Sequence, residues 1–346
     1  MLDADVEVDR RDFAVRAAVS VAPGERLALF GPSGAGKTTL LEAIAGLVWP
    51  RRGRIVLGGR VLTSTTPPAA AVPPWQRRVG LLRQDPGLFP HLSVRANLRY
   101  SQTASRDPAE LSQLADTLGL GGLLSAMPAR LSGGQAHRAA LGRLLLAHCD
   151  ALLLDEPFTG LDASLRRSLT DLVVRLVTER AIPAVLVAHE LPDAQAFATR
   201  LAIIDSGGLL QDGPPDEVVL RPASRRVAEL VGYRGFVPVQ LPGAAELTEG
   251  VVAGIHPERI AHGAHPDRGI VLTGTVTGGR PVGAGWEADL IVSAAEVTCR
   301  LADRPAAEAA HLVVTALDPP CFGPDDQAVR RPEAGPGAAW PVQAGP

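Results

Sequence analysis

Aromatic residues are scarce in this chain, at 4% of 346 residues, so Leu, Val and Ala must fill whatever cores it builds. Cysteine is scarcer still. Cys149, Cys299 and Cys321 lie far apart with no CxxC pair, which excludes a disulfide framework and thiolate metal clusters and fits reduced, structural thiols in a cytosolic setting. Charge of either sign nearly cancels, to a net -3, leaving no basic footprint for nucleic acid. No apolar run approaches the roughly 18 residues that cross a bilayer. The opening Leu2-Asp3-Ala4-Asp5-Val6-Glu7 is too acidic for a signal peptide. Any membrane role is therefore expected to come through a partner.

What the chain does have is Gly31-Pro32-Ser33-Gly34-Ala35-Gly36-Lys37-Thr38-Thr39, a fit to the phosphate-cradling pattern Gly-x4-Gly-Lys-Ser/Thr. The apolar run Leu27 to Phe30 leads in as a buried strand. Thr39 to Ala45 leads out as a helix that Gly46 can cap. The glycines let backbone N–H groups face an anion, and the helix N-terminus adds its positive dipole end. Lys37 is expected to reach the β- and γ-phosphates and Thr38 to place its hydroxyl on Mg²⁺. A glycine-rich turn that merely joins strand to helix would not need Lys37-Thr38 in register. The pattern predicts binding of a nucleoside triphosphate.

Three more apolar runs end in chemistry. Ala151 to Leu154 ends in Asp155-Glu156-Pro157. A carboxylate at such a strand end can hold Mg²⁺ through water, the task expected of Asp155. Glu156 is then placed to orient or deprotonate an attacking water. Ala184 to Ala188 ends in His189, and Val79 to Arg83 ends before Gln84, an amide that could contact Mg²⁺ or the water. Taken singly, solvated strand-end acids, a structural histidine and a surface glutamine are the blander readings. All of them at C-terminal strand ends is the arrangement of ligands in open α/β sheets. Leu131-Ser132-Gly133-Gly134-Gln135 precedes a helical pattern over 136–147, a second anion-binding helix start. With one nucleotide loop per chain, that second element is explained if it completes the pocket of another copy.

The chain reads as α/β. Residues 1–30 suggest an antiparallel layer turning at Pro23-Gly24, and 27–210 alternate strands and helices around a largely parallel sheet. The stretch 63–74 reads as a surface loop, and 91–130 read as helical. From about Gly235, short β-rich runs alternate with Gly and Pro turns, indicating a small all-β barrel or sandwich. After Pro319 the composition predicts disorder.

In that order, Gly31 to Thr39, Gln84, Leu131 to Gln135, Ala151 to Glu156, Leu161-Asp162 and His189 resemble the nucleotide-binding subunit of an ABC transporter. The resemblance covers residues 1–232. It implies a P-loop ABC ATPase domain with a helical subdomain near 86–135; Gly254 to Ile260 is similar to the start of the accessory regulatory β-modules of such ATPases, which implies a small TOBE/MOP-like domain over 233–318, followed by a tail over 319–346. It also implies ATP and Mg²⁺ as ligands, the latter held by Thr38, Gln84 and Asp155, with Glu156 as catalytic base supported by His189. Ser132, Gly133, Gly134 and Gln135 would meet the γ-phosphate bound by an opposing subunit, and Asp162 lies in the loop that crosses to it. Phe13 is the candidate to stack on adenine, with a core phenylalanine as the competing reading. The implied partners are a second copy, an integral membrane permease docked through the Gln84 region and, indirectly, a periplasmic or extracellular solute-binding protein, with no nucleic acid. The implied location is the cytoplasmic face of the plasma membrane.

Residues 53–62, 77–80 and 88–100 are more narrowly similar to ATPases of molybdate and related oxyanion importers. Importers of sulfate, ferric iron, polyamines and sugars share much of the pattern, and a soluble, non-transport ABC ATPase is the more distant alternative. Arg83 stands where the family favours an aromatic, Ala136-His137 where polar or basic residues are frequent, and Glu190 where aspartate is common. None removes a reacting group.

Overall fold

The computed structural model describes residues 1–10, 13–101, 107–239, 251–265, 269–305 and 311–329. By contacts the chain divides into two units, Met1–Asp216 and Glu217–Pro346.

In the first unit, β1 (Leu2–Asp9) and β2 (Ala14–Val21) alternate buried and exposed residues and pair antiparallel, Leu2 opposite Val21. The buried β3 (Arg26–Phe30) feeds α1 (Lys37–Ala45) through the glycine-rich loop. The strands β4 (Arg52–Leu57), β5 (Arg60–Ser64) and β6 (Ala70–Ala71) extend the antiparallel layer, and β7 (Val79–Leu82) returns to the parallel part. The helices α2 (Val94–Leu98) and α3 (Pro108–Thr117) lie in the segment 91–130 read as helical, and α4 (Gly133–Leu146) corresponds to the pattern read over 136–147. Then come β8 (Ala151–Asp155), α5 (Ala163–Glu179), β9 (Ala184–Ala188), α6 (Leu191–Phe197), β10 (Arg200–Asp205) and β11 (Gly208–Gly213). All eleven strands form one sheet in the order β6-β5-β4-β1-β2-β11-β10-β3-β9-β8-β7. Within it β10, β3, β9, β8 and β7 run parallel.

The short helices α7 (Pro215–Leu220) and α8 (Arg225–Leu230) bond with residues nearer the C-terminus. The Tyr233 hydroxyl donates to the Val219 carbonyl at 3.1 Å, and the Arg225 N–H donates to the Asp326 carbonyl at 2.8 Å. Beyond them lie β12 (Phe236–Pro238), β13 (Val252–Gly254), β14 (Ile260–His262), β15 (Gly269–Val282), β16 (Gly285–Val292), β17 (Ala295–Leu301), β18 (His311–Leu317), β19 (Cys321–Phe322) and β20 (Ala328–Val329). They make a five-stranded sheet, β14-β18-β15-β16-β17, and a four-stranded one, β12-β13-β19-β20. Ile270, Leu272, Leu290 and Val314 lead its core. Burial pushes the Cys299 thiol up to about 12, so it stays protonated and inert.

Two expectations need correcting. Residues 319–329, assigned by composition to a disordered tail, hold β19 and β20. Cys321 pairs with Ala253 and Phe322 with Val252, and both side chains are buried, so two apolar residues outweigh the surrounding Pro and Gly. Residues 330–346 lie outside the described residues. The stretch 63–74, read as a surface loop, begins with buried Thr63 and Ser64 closing β5 and contains β6.

Thr63 is buried for a reason that bears on the site. Arg77, 3% exposed, donates from Nη2 to Thr63 Oγ1 (2.8 Å), from Nε to Val72 O (2.8 Å) and from Nη1 to the Ala43 and Ile44 carbonyls at 3.2 and 2.9 Å. Those last two are carbonyls of the last turn of α1, at its negative dipole end; the Ala43 carbonyl also accepts the N–H of the capping Gly46 at 3.1 Å. Arg77 therefore anchors the helix whose other end carries Lys37 and Thr38. Arg77→Ala is expected to lower unfolding stability by about 2–4 kcal/mol, and a denaturant midpoint within error of wild type would contradict that anchoring.

Candidate functional site

Gly31 adopts φ +153°, and a Cβ there would sit 1.9 Å from the Ile204 carbonyl oxygen, so only glycine lets the chain leave β3 beside β10. Gly34, at φ +82°, has open space where its side chain would be, room for a ligand to approach the backbone. Across this loop the Lys37 ammonium donates to the Gly31 and Pro32 carbonyls, both at 2.8 Å. Burial pulls its pKa down, and Glu156 and then Asp155 oppose that. The Ala35 carbonyl accepts the Gly207 N–H at 3.1 Å, which fixes the loop to the β10–β11 turn.

The neighbouring parallel strands deliver the other groups to the same edge. Asp155, 2% exposed at the end of β8, accepts a hydrogen bond from the Thr38 hydroxyl at 3.3 Å. Burial pushes its carboxyl up, with the Thr38 bond as the main opposing effect. Glu156 follows in the left-handed region at φ +54°, uncommon for a residue with a side chain and a mark of local strain. Its N–H donates to the Val187 carbonyl at 3.1 Å, and its carboxylate meets the His189 Nε2 at the end of β9. A cavity of about 480 Å³ is lined by Ser33, Gly34, Gly36, Lys37, Thr38 and Thr39, with Gln84, Glu156 and His189 facing them and Phe13 at its side.

The donor set suits a hard divalent cation. Thr38 and Asp155 supply adjacent oxygens; Thr38 and Gln84 line the cavity, and Asp155 reaches it through its contact with Thr38. Among the described residues no three His, Cys, Asp or Glu side chains form a metal cage by themselves. Mg²⁺ is usually held by one or two carboxylates together with substrate phosphates rather than by an all-protein cage, so these residues fit Mg²⁺ arriving with a nucleotide.

Ser132, Gly133, Gly134 and Gln135 do not line this cavity. The Ser132 hydroxyl accepts from the Gln135 N–H at 3.3 Å, and the Gln135 side chain accepts from the Ser132 N–H at 2.8 Å, a capping box that starts α4 at Gly133. The helix thus begins three residues before the expected 136, and Gly133 and Gly134 leave open space beside its N-terminus. Asp162 also lies away from the cavity, where its side chain accepts from the Ser164 and Leu165 N–H groups, both at 3.0 Å, and caps α5.

Two neighbours, Arg166 and Arg10, escaped the sequence reading, and a third, His137, enters it only as a departure from the family pattern. The His137 ring lies against the backbone of Pro157 and Gln84, and burial pulls its pKa down. Arg166 donates to the Leu161 carbonyl at 3.3 Å and pairs with Glu190 at 3.1 Å and Asp193 at 3.4 Å, tying the loop after β8 to the segment after His189. Arg10 lines the cavity itself. Helical spacing from Asp162 could have flagged Arg166, whereas nothing in the sequence pattern marks Arg10.

The chain matches the family described as "ABC transporter" over residues 16–159. Proteins named Fe(3+) ions import ATP-binding protein are similar to it. One from Pseudomonas fluorescens is 42% identical over 227 residues, 64% of this chain and 63% of that protein. One from Yersinia pestis is 39% identical over 243 residues, 69% of each. A molybdenum import ATP-binding protein of Mesorhizobium japonicum is 42% identical over 213 residues, 61% of this chain and 57% of that protein. A solved ATP-binding subunit of an ABC transporter superposes with a TM-score of 0.55 at 25% identity, covering 67% of this chain and 95% of that one. With that likeness in sequence and fold, the chain belongs to the ATP-hydrolysing, ATP-binding subunits of the ABC transporter family.

Proposed function

We propose that the chain energises an ABC importer by binding ATP between two copies of itself and hydrolysing it. The observation that carries this is a division of labour: one strand edge gathers the glycine-rich loop, Gln84, Glu156 and His189 around one cavity, while Ser132–Gln135 lie outside it with an open helix start. The second anion site is then free to serve the nucleotide of the opposing subunit.

In this reading Gly31–Thr39 cradle the triphosphate, Lys37 meets the β- and γ-phosphates, and Phe13 stacks on adenine. Thr38, Asp155 and Gln84 hold Mg²⁺, whose charge offsets that of the phosphates. Glu156 takes the proton of the attacking water, and His189, already paired with it, holds the carboxylate toward the γ-phosphate. Across the dimer, Ser132 to Gln135 grip the same γ-phosphate, and Asp162 lies in the connecting loop. Binding then closes the dimer and hydrolysis reopens it, a two-state element biased by the γ-phosphate. The ATPase domain spans 1–232 with its helical subdomain near 86–135. The β-rich segment after it acts as a regulatory module of the TOBE/MOP kind.

The chain docks peripherally, at the cytoplasmic face of the plasma membrane, on an integral membrane permease fed by a solute-binding protein on the other side. Among the described residues no helix is long and apolar enough to cross a membrane, which fits a peripheral subunit. For cargo we propose molybdate or a related oxyanion, on the pattern of residues 53–62, 77–80 and 88–100. The relatives named for Fe(3+) make ferric ion the competing cargo, and an ATPase that never touches cargo carries no direct record of it.

Glu156→Gln should retain ATP binding, lose turnover by about 100- to 10,000-fold and run as an ATP-dependent dimer in gel filtration; a variant that stays monomeric with ATP refutes the sandwich. Asp155 gives a pH-dependent test. Because its folded-state pKa is raised, ionising it costs the native state stability as pH climbs above the ordinary carboxylate range. Asp155→Asn should therefore melt higher than wild type without nucleotide at neutral pH, converge with it near pH ~4 and lose the Mg·ATP-induced stabilisation. Vesicles carrying the chain and its permease should take up molybdate in preference to sulfate or ferric ion, and uptake of ferric ion alone would replace the cargo assignment.

A further inference from the structure

Arg10 follows β1 at the rim of the nucleotide cavity and lines it together with Lys37 and Thr38. Its Nε–H donates to Thr39 Oγ1 at 2.7 Å, and its Nη2 donates to Glu42 Oε2 at 3.3 Å. Its backbone N–H donates to the Phe13 carbonyl at 2.9 Å, so Arg10 and the proposed adenine-stacking residue are held as one piece. The Glu42 carboxylate is shared, because its Oε1 accepts from Arg83 Nη2 at 3.3 Å. Glu42 thus orients two arginines. One stands at the cavity rim and the other immediately precedes Gln84.

A guanidinium carries five N–H donors, and the two bonds described leave it able to take a further anion. Its position selects the anion. Thr39 is the third residue of α1, one step further into the helix than Thr38, whereas Lys37 is the residue expected at the β- and γ-phosphates. The carboxylates of Asp155, Glu156 and Glu42 lie in the same region, so a guanidinium at the cavity rim adds positive charge on the side where Lys37 stands.

We propose that Arg10 is a further nucleotide-binding residue, its guanidinium held by Thr39 and Glu42 to contact the phosphates that ADP and ATP share. The inference rests on the cavity being the nucleotide site. Arg–phosphate contacts are charge-assisted and directional. They are also screened by salt where exposed, and the Arg10 side chain is 39% exposed.

The test is calorimetric titration of the full chain with ATP and with ADP. Arg10→Gln should weaken both by roughly tenfold and by the same factor. The penalty should shrink as ionic strength rises, and Arg10→Lys should recover part of it. Arg83→Gln removes the other partner of Glu42 without touching the cavity and should leave ADP affinity unchanged. Wild-type affinity in Arg10→Gln overturns the proposal. So does a loss confined to ATP, or an equal loss in Arg83→Gln, which would make Arg10 only a brace for α1 through Glu42. The parent reading is checked separately by Lys37→Ala: if that variant binds nucleotide normally, the cavity is not the site, whatever Arg10 does.

Discussion

Strands β3, β8 and β9 are buried almost throughout, β7 lies beside them, and all four run in the same direction. That combination leaves polar groups few places to go other than the strand ends, and parallel pairing puts all the C-terminal ends on one edge. The register then sets their levels. Phe30 stands opposite Ala188, Val187 opposite Asp155 and Leu154 opposite Leu82. Gly31 and His189 therefore leave the sheet side by side, with Glu156 beside them and Arg83-Gln84 one strand further out. A slip of one residue in any pair would turn buried side chains to the opposite face of the sheet. The packing that stabilises the unit is thus also what aligns the reacting groups.

The aligned edge gathers several charged groups at close quarters. Asp155 is raised and Lys37 lowered by the same burial, and each moderates the other. Glu156 is held in an unusual backbone conformation against His189. Such a cluster stores unfavourable electrostatics that a bound polyanion and a divalent cation relieve together, in keeping with the tendency of perturbed ionisable groups to gather at functional sites. Support comes from farther away. Arg77 secures the far end of α1, and the β10–β11 turn abuts the loop before it, so the phosphate cradle is braced at both ends.

Much of this was legible in the sequence because it is local. The glycine-rich loop, the apolar runs ending in Asp155-Glu156 and His189, and the β-runs after Gly235 are each set by neighbours within a few residues, and the structure places those elements close to where they were read. The misreadings share a cause. Phe322 and Cys321 sit among residues that signal disorder and gain order by pairing with β13 and β20. Thr63 looks like loop until Arg77, fourteen residues on, donates to it. Arg10, His137 and Arg166 belong to no short pattern, because each acts on residues at least twenty positions away or on several segments at once.

The amino-acid sequence by itself determined which chemical groups the molecule carries and in what local frames: a loop that must bend through glycines, a helix start that must face an anion, and carboxylates placed just past apolar strands. Only the tertiary structure decided which of those groups share a cavity. The sequence pattern already set Ser132–Gln135 apart from Lys37 as an expectation, but it cannot say that Arg10 joins Lys37, since that depends on strand order and register. Those are settled by the burial of side chains distant in sequence, and no local preference encodes them.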